Sequence, residues 1–91
     1  MQFEWNAEKA ASSLARHGVS FDEASTVFGD PLAETVPDEG HSVDEEREIT
    51  IGISVAGRTV VVWHTNRSGV TRIIGARLAT PTERRTYGSG E

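Results

Sequence analysis

Cysteine is absent from this 91-residue chain, which excludes disulfide staples, a thiolate metal site and a thiol nucleophile. Lysine occurs once, at Lys9, so nearly all positive charge is carried by arginine. No apolar run approaches the roughly 18 residues that a membrane-spanning helix needs. The opening MQFEWNAEKA has neither the basic nor the apolar region of a signal peptide, and the expectation is a cytoplasmic protein. Internal repeats, a glycine-rich phosphate loop, a serine elbow and a dinucleotide fingerprint are missing as well. What is present suits a small soluble globule: 36% hydrophobic and 25% charged residues. One domain over residues 1–88 with a frayed tail at 89–91 is expected. At this size it is marginally stable alone, so a permanent partner would not be surprising.

Charge is divided unevenly. Residues 1–46 hold eleven acids against Lys9 and Arg16, a formal −9, whereas residues 47–91 hold seven arginines against three acids, a formal +4. Guanidinium groups grip phosphate or carboxylate with a planar fork, so the second half suits an anionic ligand. The same arginines would also serve as solvated strand residues paired with the acidic half. The overall acidity argues against bulk duplex binding.

Periodicity predicts the elements. Asn6 is a good N-cap for a helix with Ala7, Ala10, Ala11, Leu14 and Ala15 at helical spacing, ended by Gly18. Ser20 and Glu23 form a capping box before Phe21, Ala24, Val27 and Phe28, and Gly29-Asp30-Pro31 stops that second helix. Leu32–Val36 reads as a short strand. Alternation of Ile49, Ile51, Ile53 and Val55 marks the next, followed by strands at Thr59–Thr65 and Val70–Arg77. Thr80-Pro81-Thr82-Glu83 opens a last helix to about Tyr87. The fold class is therefore α+β: two N-terminal helices, a four-stranded antiparallel meander and a short C-terminal helix.

A two-residue loop at Ala56-Gly57 would pair Ile53 with Val60, Ile51 with Val62 and Ile49 with His64. A four-residue loop at 66–69 would pair Trp63 with Arg72. One face then collects Ile49, Ile51, Ile53, Val60, Val62 and Ile73 as core. The other carries Thr50, Gly52, Ser54, Val61, Trp63, Thr65 and Arg72. On that open face Arg72 and Trp63 would either form a structural cation–π pair or serve as a platform for a phosphate and a stacked base.

Five ordered segments carry a resemblance: FEW-N-x-x-KA from Phe3, ARHGVSFDEA, VFGDPLA, HS-x-x-EER and RIIGARLAT-x-x-ERR-x-Y. Together they resemble the BrnT family, toxins of type II toxin–antitoxin systems, across nearly the whole chain. The resemblance implies a RelE-like ribonuclease fold and growth arrest by RNA cleavage. It also implies neutralisation by a BrnA-type antitoxin whose DNA-binding half represses the shared operon.

RNA can be cut without a metal when its 2′-hydroxyl attacks the adjacent phosphorus, given groups that move protons and stabilise phosphoryl charge. Arg72 is the first candidate for that charge. Arg77 falls on the opposite parity, near Arg58, where a salt bridge to the last helix is the alternative role. Arg47 would reach phosphate or pair with a carboxylate. His41 and Glu46 are the acid–base candidates, although a loop histidine and an exposed acid are more often merely solvated. His64 lies at the rim of the core face, and His17 at a helix end complements the dipole. Trp63, Arg67 and Tyr87 are candidates for RNA binding, Tyr87 equally for packing. His41, Asp44, Glu45 and Glu46 complete no metal site, so neither metal nor other cofactor is expected. The alternative to an enzyme is a non-catalytic module that binds the antitoxin or blocks translation. A carboxylate-metal hydrolase is the least favoured reading. The acidic first half is expected to face basic antitoxin residues.

Overall fold

The computed structural model describes residues 1–41 and 46–89. Its elements are β1 (Gln2–Trp5), α1 (Ala7–His17), α2 (Phe21–Thr26), β2 (Glu34–Pro37), β3 (Arg47–Ile53), β4 (Thr59–Arg67), β5 (Val70–Leu78) and α3 (Pro81–Ser89). Strands β2 to β5 form the expected antiparallel meander. A fifth strand, β1, adds to its edge in parallel with β5, giving the order β1-β5-β4-β3-β2. Phe3 and Trp5 thus alternate with Glu4 within the sheet. These side chains pack on Phe28 and Phe21 of the helical layer.

The caps act as the sequence suggests. Asn6 Oδ1 accepts from Lys9 N at 3.0 Å, and Gly18 closes α1 in the left-handed conformation at φ 69°. Ser20 Oγ accepts from Glu23 N at 3.0 Å, but the Glu23 carboxylate does not return to complete the box. It binds Arg58 and Ser54 instead, pinning the β3–β4 hairpin to α2. At α3 the box is reciprocal: Thr80 N donates to Glu83 Oε1 and Glu83 N to Thr80 Oγ1.

Register departs from expectation in both hairpins. Ser54 N donates to the Arg58 carbonyl around a three-residue loop, with Gly57 at φ 79°. That is a turn closed by a left-handed residue rather than a two-residue turn, and it slips β3 by one. Ile53 therefore opposes Thr59, Ile51 opposes Val61 and Ile49 opposes Trp63. The β4–β5 turn is shorter than expected. Ser68 and Gly69 both take positive φ, and the strands pair up to Arg67 and Val70. A bulge between Trp63 and His64 then leaves Ile74 as the extra residue of β5.

These shifts decide the core. Val60, Val62, Ile73 and Ala76 from the sheet meet Val19, Phe21, Ala24 and Val27 from the helical layer. Beside them lie Thr50 and Gly52 of β3 and Ser54 just after it, all buried, and not the β3 isoleucines. Small residues are needed there because the chain after α2 runs close to the sheet, with a Cβ on Gly52 lying 2.9 Å from Ala33 Cβ. Ile49 and Ile51 face the other side, where with Thr82, Thr86 and Tyr87 of α3 they line a groove. In α1, Ala10 packs on the core and Ser13 is buried, while Leu14 stays 52% exposed. The expected alanine–leucine stripe is thus mostly outside. No helix among the described residues is long and apolar enough to cross a membrane.

Candidate functional site

The sheet face turned from α1 and α2 is ordered as rows across the strands. In the first row Arg47 opposes Thr65, Thr65 opposes Arg72, and Arg72 lies beside Glu4 of β1. In the second, Ile49, Trp63 and Gly75 are neighbours, and in the third, Ile51, Val61 and Arg77. Three arginines and one indole therefore share a face. The expectation for Arg77 was the opposite parity, and the bulge at Ile74 is what turns it over. Above the indole sits Arg77, its guanidinium carbon 5.2 Å from the ring centroid. The cation–π partner of Trp63 is thus Arg77, and Arg72 is one row away.

Both arginines are held by carboxylates. Arg72 Nη1 donates to Glu4 Oε2 at 3.0 Å, with both side chains partly exposed. Arg77 forms a two-pronged contact with Glu83, at 2.7 and 3.0 Å, which ties α3 to the sheet. That contact, with the Thr80 N–H, holds the Glu83 carboxyl at about 2 and raises Arg77 further. The alternative role foreseen for Arg77, fastening the last helix, is real, and it coexists with the stack.

The remaining candidates are dispersed. Glu46 is exposed just before β3, its carbonyl accepting from Thr65 Oγ1 at 2.8 Å, next to the half-buried Arg47. Arg67 ends β4, exposed and beside the turn. The backbone of His41 closes a short 3₁₀ turn, but its side chain, with Asp44 and Glu45, lies outside the described residues. Tyr87 donates its hydroxyl to Asp30, which also accepts from Ile53 N at 2.8 Å and Leu32 N at 2.9 Å. Burial and that carboxylate push the phenol up to about 12. A proton so held is a poor general acid, so Tyr87 acts as a clamp between α3 and the turn after α2.

His64 is buried deeper than the rim, 5% exposed, against the edge of Phe28. Its Nε2 and Thr50 Oγ1 are 2.7 Å apart, and Thr50 in turn meets Thr35 at 2.7 Å. Burial lowers its pKa, opposed by Glu48, so the neutral ring is favoured. It is a satisfied core histidine.

Sequence reasoning missed a second feature. Between α1 and β5 runs a cleft of about 450 Å³ lined by Lys9, Ser12, Arg16, His17, Trp63 and Arg77, among others. It exists because β1 stops opposite Ile73, leaving the later edge of β5 to α1. Ser13 anchors the helix there by donating to the Ala76 carbonyl at 3.0 Å. The spacing of Lys9, Ser12, Ser13 and Arg16 was the available signal, since it marks one helical face. Among the described residues, no group of three or more His, Cys, Asp or Glu is placed to hold a metal ion.

Over residues 5–83 the chain matches the family described as ribonuclease toxin, BrnT, of type II toxin-antitoxin system. Among solved structures it is similar to the Brucella abortus ribonuclease toxin BrnT. The two are 19% identical, with a TM-score of 0.68 over 88% of this chain and 97% of that one. At such identity the likeness shows a shared fold. No curated protein matches.

Proposed function

The chain belongs to the BrnT family of toxins, with the RelE-like fold, and from that membership we propose that it is a metal-independent endoribonuclease. It would arrest growth by cutting RNA and be neutralised by a BrnA-type antitoxin. A base removes the 2′-hydroxyl proton, the freed oxygen bonds to the adjacent phosphorus, and the 5′-oxygen leaves as it gains a proton. Glu46 and His41 are the candidate proton carriers. Arg72, Arg77 and Arg47 would stabilise the charge gathering on the phosphoryl oxygens. Trp63 would stack a base, with Arg67 and the ring of Tyr87 as outer contacts.

The observation that carries this reading is the placement of Trp63 between the Arg47–Thr65–Arg72 row and Arg77 on one face. An aromatic platform flanked by guanidinium groups is the pattern that single-stranded RNA requires. A second reading, a non-catalytic module that binds the antitoxin or blocks translation, is favoured by one observation. Glu4 and Glu83 already hold Arg72 and Arg77.

Purified protein incubated with naked RNA in excess EDTA separates the possibilities. Cleavage there supports the proposal, and Arg77→Ala or Arg72→Ala should then slow it about 100-fold, the size of one lost charge-stabilising donor. No cleavage with or without metal supports the second reading, and cleavage only on adding metal would make this a metal hydrolase. For the antitoxin, the acidic segment at Asp38, Glu39 and Asp44, the last outside the described residues, is the proposed contact. Charge reversal at all three should weaken the isolated pair, and an unchanged affinity would rule the contact out.

A further inference from the structure

The cleft between α1 and β5 has a charge pattern that the chain as a whole does not. Residues 1–46 contain only two basic side chains among eleven acids. Both of them, Lys9 and Arg16, lie two turns apart on one face of α1 and line this cleft. His17 joins them from the last turn, and Arg77, paired with Glu83, enters from β5. The ten lining residues include no aspartate or glutamate. The Ser12 hydroxyl and the Trp63 indole complete the polar and aromatic lining. In a protein of net charge −5 such a concentration of cations singles out the place where a polyanion can settle.

We propose that this cleft is the track for the RNA backbone beside the scissile bond, with Lys9 and Arg16 binding phosphates along α1. The inference rests on the ribonuclease reading and deepens it. Trp63 and Arg77 belong both to the cleft and to the arginine face, so a strand leaving the face crosses directly onto α1. The indole stacks a base at the junction, and the two α1 cations take successive phosphates beyond it. Lys9 and Arg16 are thus binding residues that take no part in breaking the bond. Each phosphate neutralised on a single strand contributes about 0.7 to the slope of log affinity against log salt.

The test uses the full chain and a labelled 12-nucleotide RNA carrying 2′-O-methyl groups, which bind but cannot be cut, followed by fluorescence anisotropy across a salt series. Removing both charges in Lys9→Gln/Arg16→Gln should lower the slope by about 1.4, which at 0.1 M salt is about 25-fold in affinity. The charge-keeping exchange Lys9→Arg/Arg16→Lys should retain most of the slope. Both side chains are exposed, so an unchanged melting temperature accompanies either variant. Wild-type binding that the neutral variant reproduces in affinity and slope would overturn the cleft proposal and leave the ribonuclease reading standing. Neutral-variant RNA binding that is intact while antitoxin binding weakens would make the cleft a protein interface and likewise overturn it. Wild type that neither binds this RNA nor cleaves an unmodified one would remove both.

Discussion

Substituting Gly52 by alanine tests the closeness of the helical layer to the sheet. A Cβ there would lie 2.9 Å from Ala33 Cβ, 2.9 Å from Val27 Cγ1 and 3.1 Å from Asp30 Oδ2. Carbon pairs rest at about 3.5–4.0 Å, so both carbon contacts are deep inside that separation. Neither neighbour has a flexible end to swing away: Ala33 is a single methyl and Val27 is fully buried. The segment from Val27 to Ala33 must therefore retreat, carrying Asp30 away from Ile53 N and from the Tyr87 hydroxyl. Overpacking of this kind costs about 1–3 kcal/mol, and the unfolded-state gain of replacing glycine returns less than 1 kcal/mol. A net loss of about 1 kcal/mol corresponds to a fall in Tm of about 4–8 °C for a domain of this size. Gly75→Ala is the control, since its Cβ would meet nothing within 4 Å, and its Tm should hold or rise. Thermal unfolding followed by circular dichroism at pH 7 reads both. A Gly52→Ala protein melting within about 2 °C of wild type would refute the packing argument.

Two further predictions concern α3. The Glu83 carboxyl is held at about 2, below its ordinary 4.5, so its contribution is complete above pH 4.5 and disappears as pH falls toward 2. Glu83→Gln should lower Tm at pH 7 by the equivalent of about 1 kcal/mol, discounted for solvent exposure, and flatten that acid limb. An acid limb as steep as in wild type would contradict this. The Tyr87 phenol is raised from 10.0 to about 12, so its contribution is complete below pH 10 and vanishes as pH climbs through 12. Tyr87→Phe should lose about 1 kcal/mol at pH 7 and melt with less dependence on pH between 10 and 12. Identical alkaline profiles for the two proteins would show that the hydroxyl does not clamp α3.

Local signals in the sequence were sufficient for the elements, because caps and periodicity act over three or four residues. Asn6, Gly18, Ser20 and the Thr80–Glu83 pair each mark a helix end where the chain has one. Pairing was less legible because it depends on counting through turns. Whether Ala56-Gly57 closes a hairpin of two or three residues is settled by Gly57 adopting positive φ after Val55 and Ala56. That one residue moved the isoleucines of β3 from the expected core to the face under α3. No residue type announces the bulge at Ile74, which puts Arg77 on the unexpected side, and the shorter β4–β5 turn moves Arg72 one row along, from Trp63 to Thr65. The cleft was illegible for another reason: Lys9 and Arg16 are isolated bases in an acidic stretch until α1 is laid against a strand whose edge β1 leaves open. The identity of the aromatic platform, by contrast, followed from Trp63 alone, since its parity survived both register changes.

The extra residue in β5 also means that this strand carries two reading frames. From Val70 to Ile73 one alternation sends side chains up or down, and from Gly75 to Leu78 the opposite alternation does. Deleting Ile74 would give regular pairing and leave Arg77 opposite Val61 on its present face, whereas straightening the bulge with Ile74 retained would swing the second arginine of the strand beneath α1 and α2. The side of the sheet from which that arginine acts is therefore set by one unpaired residue.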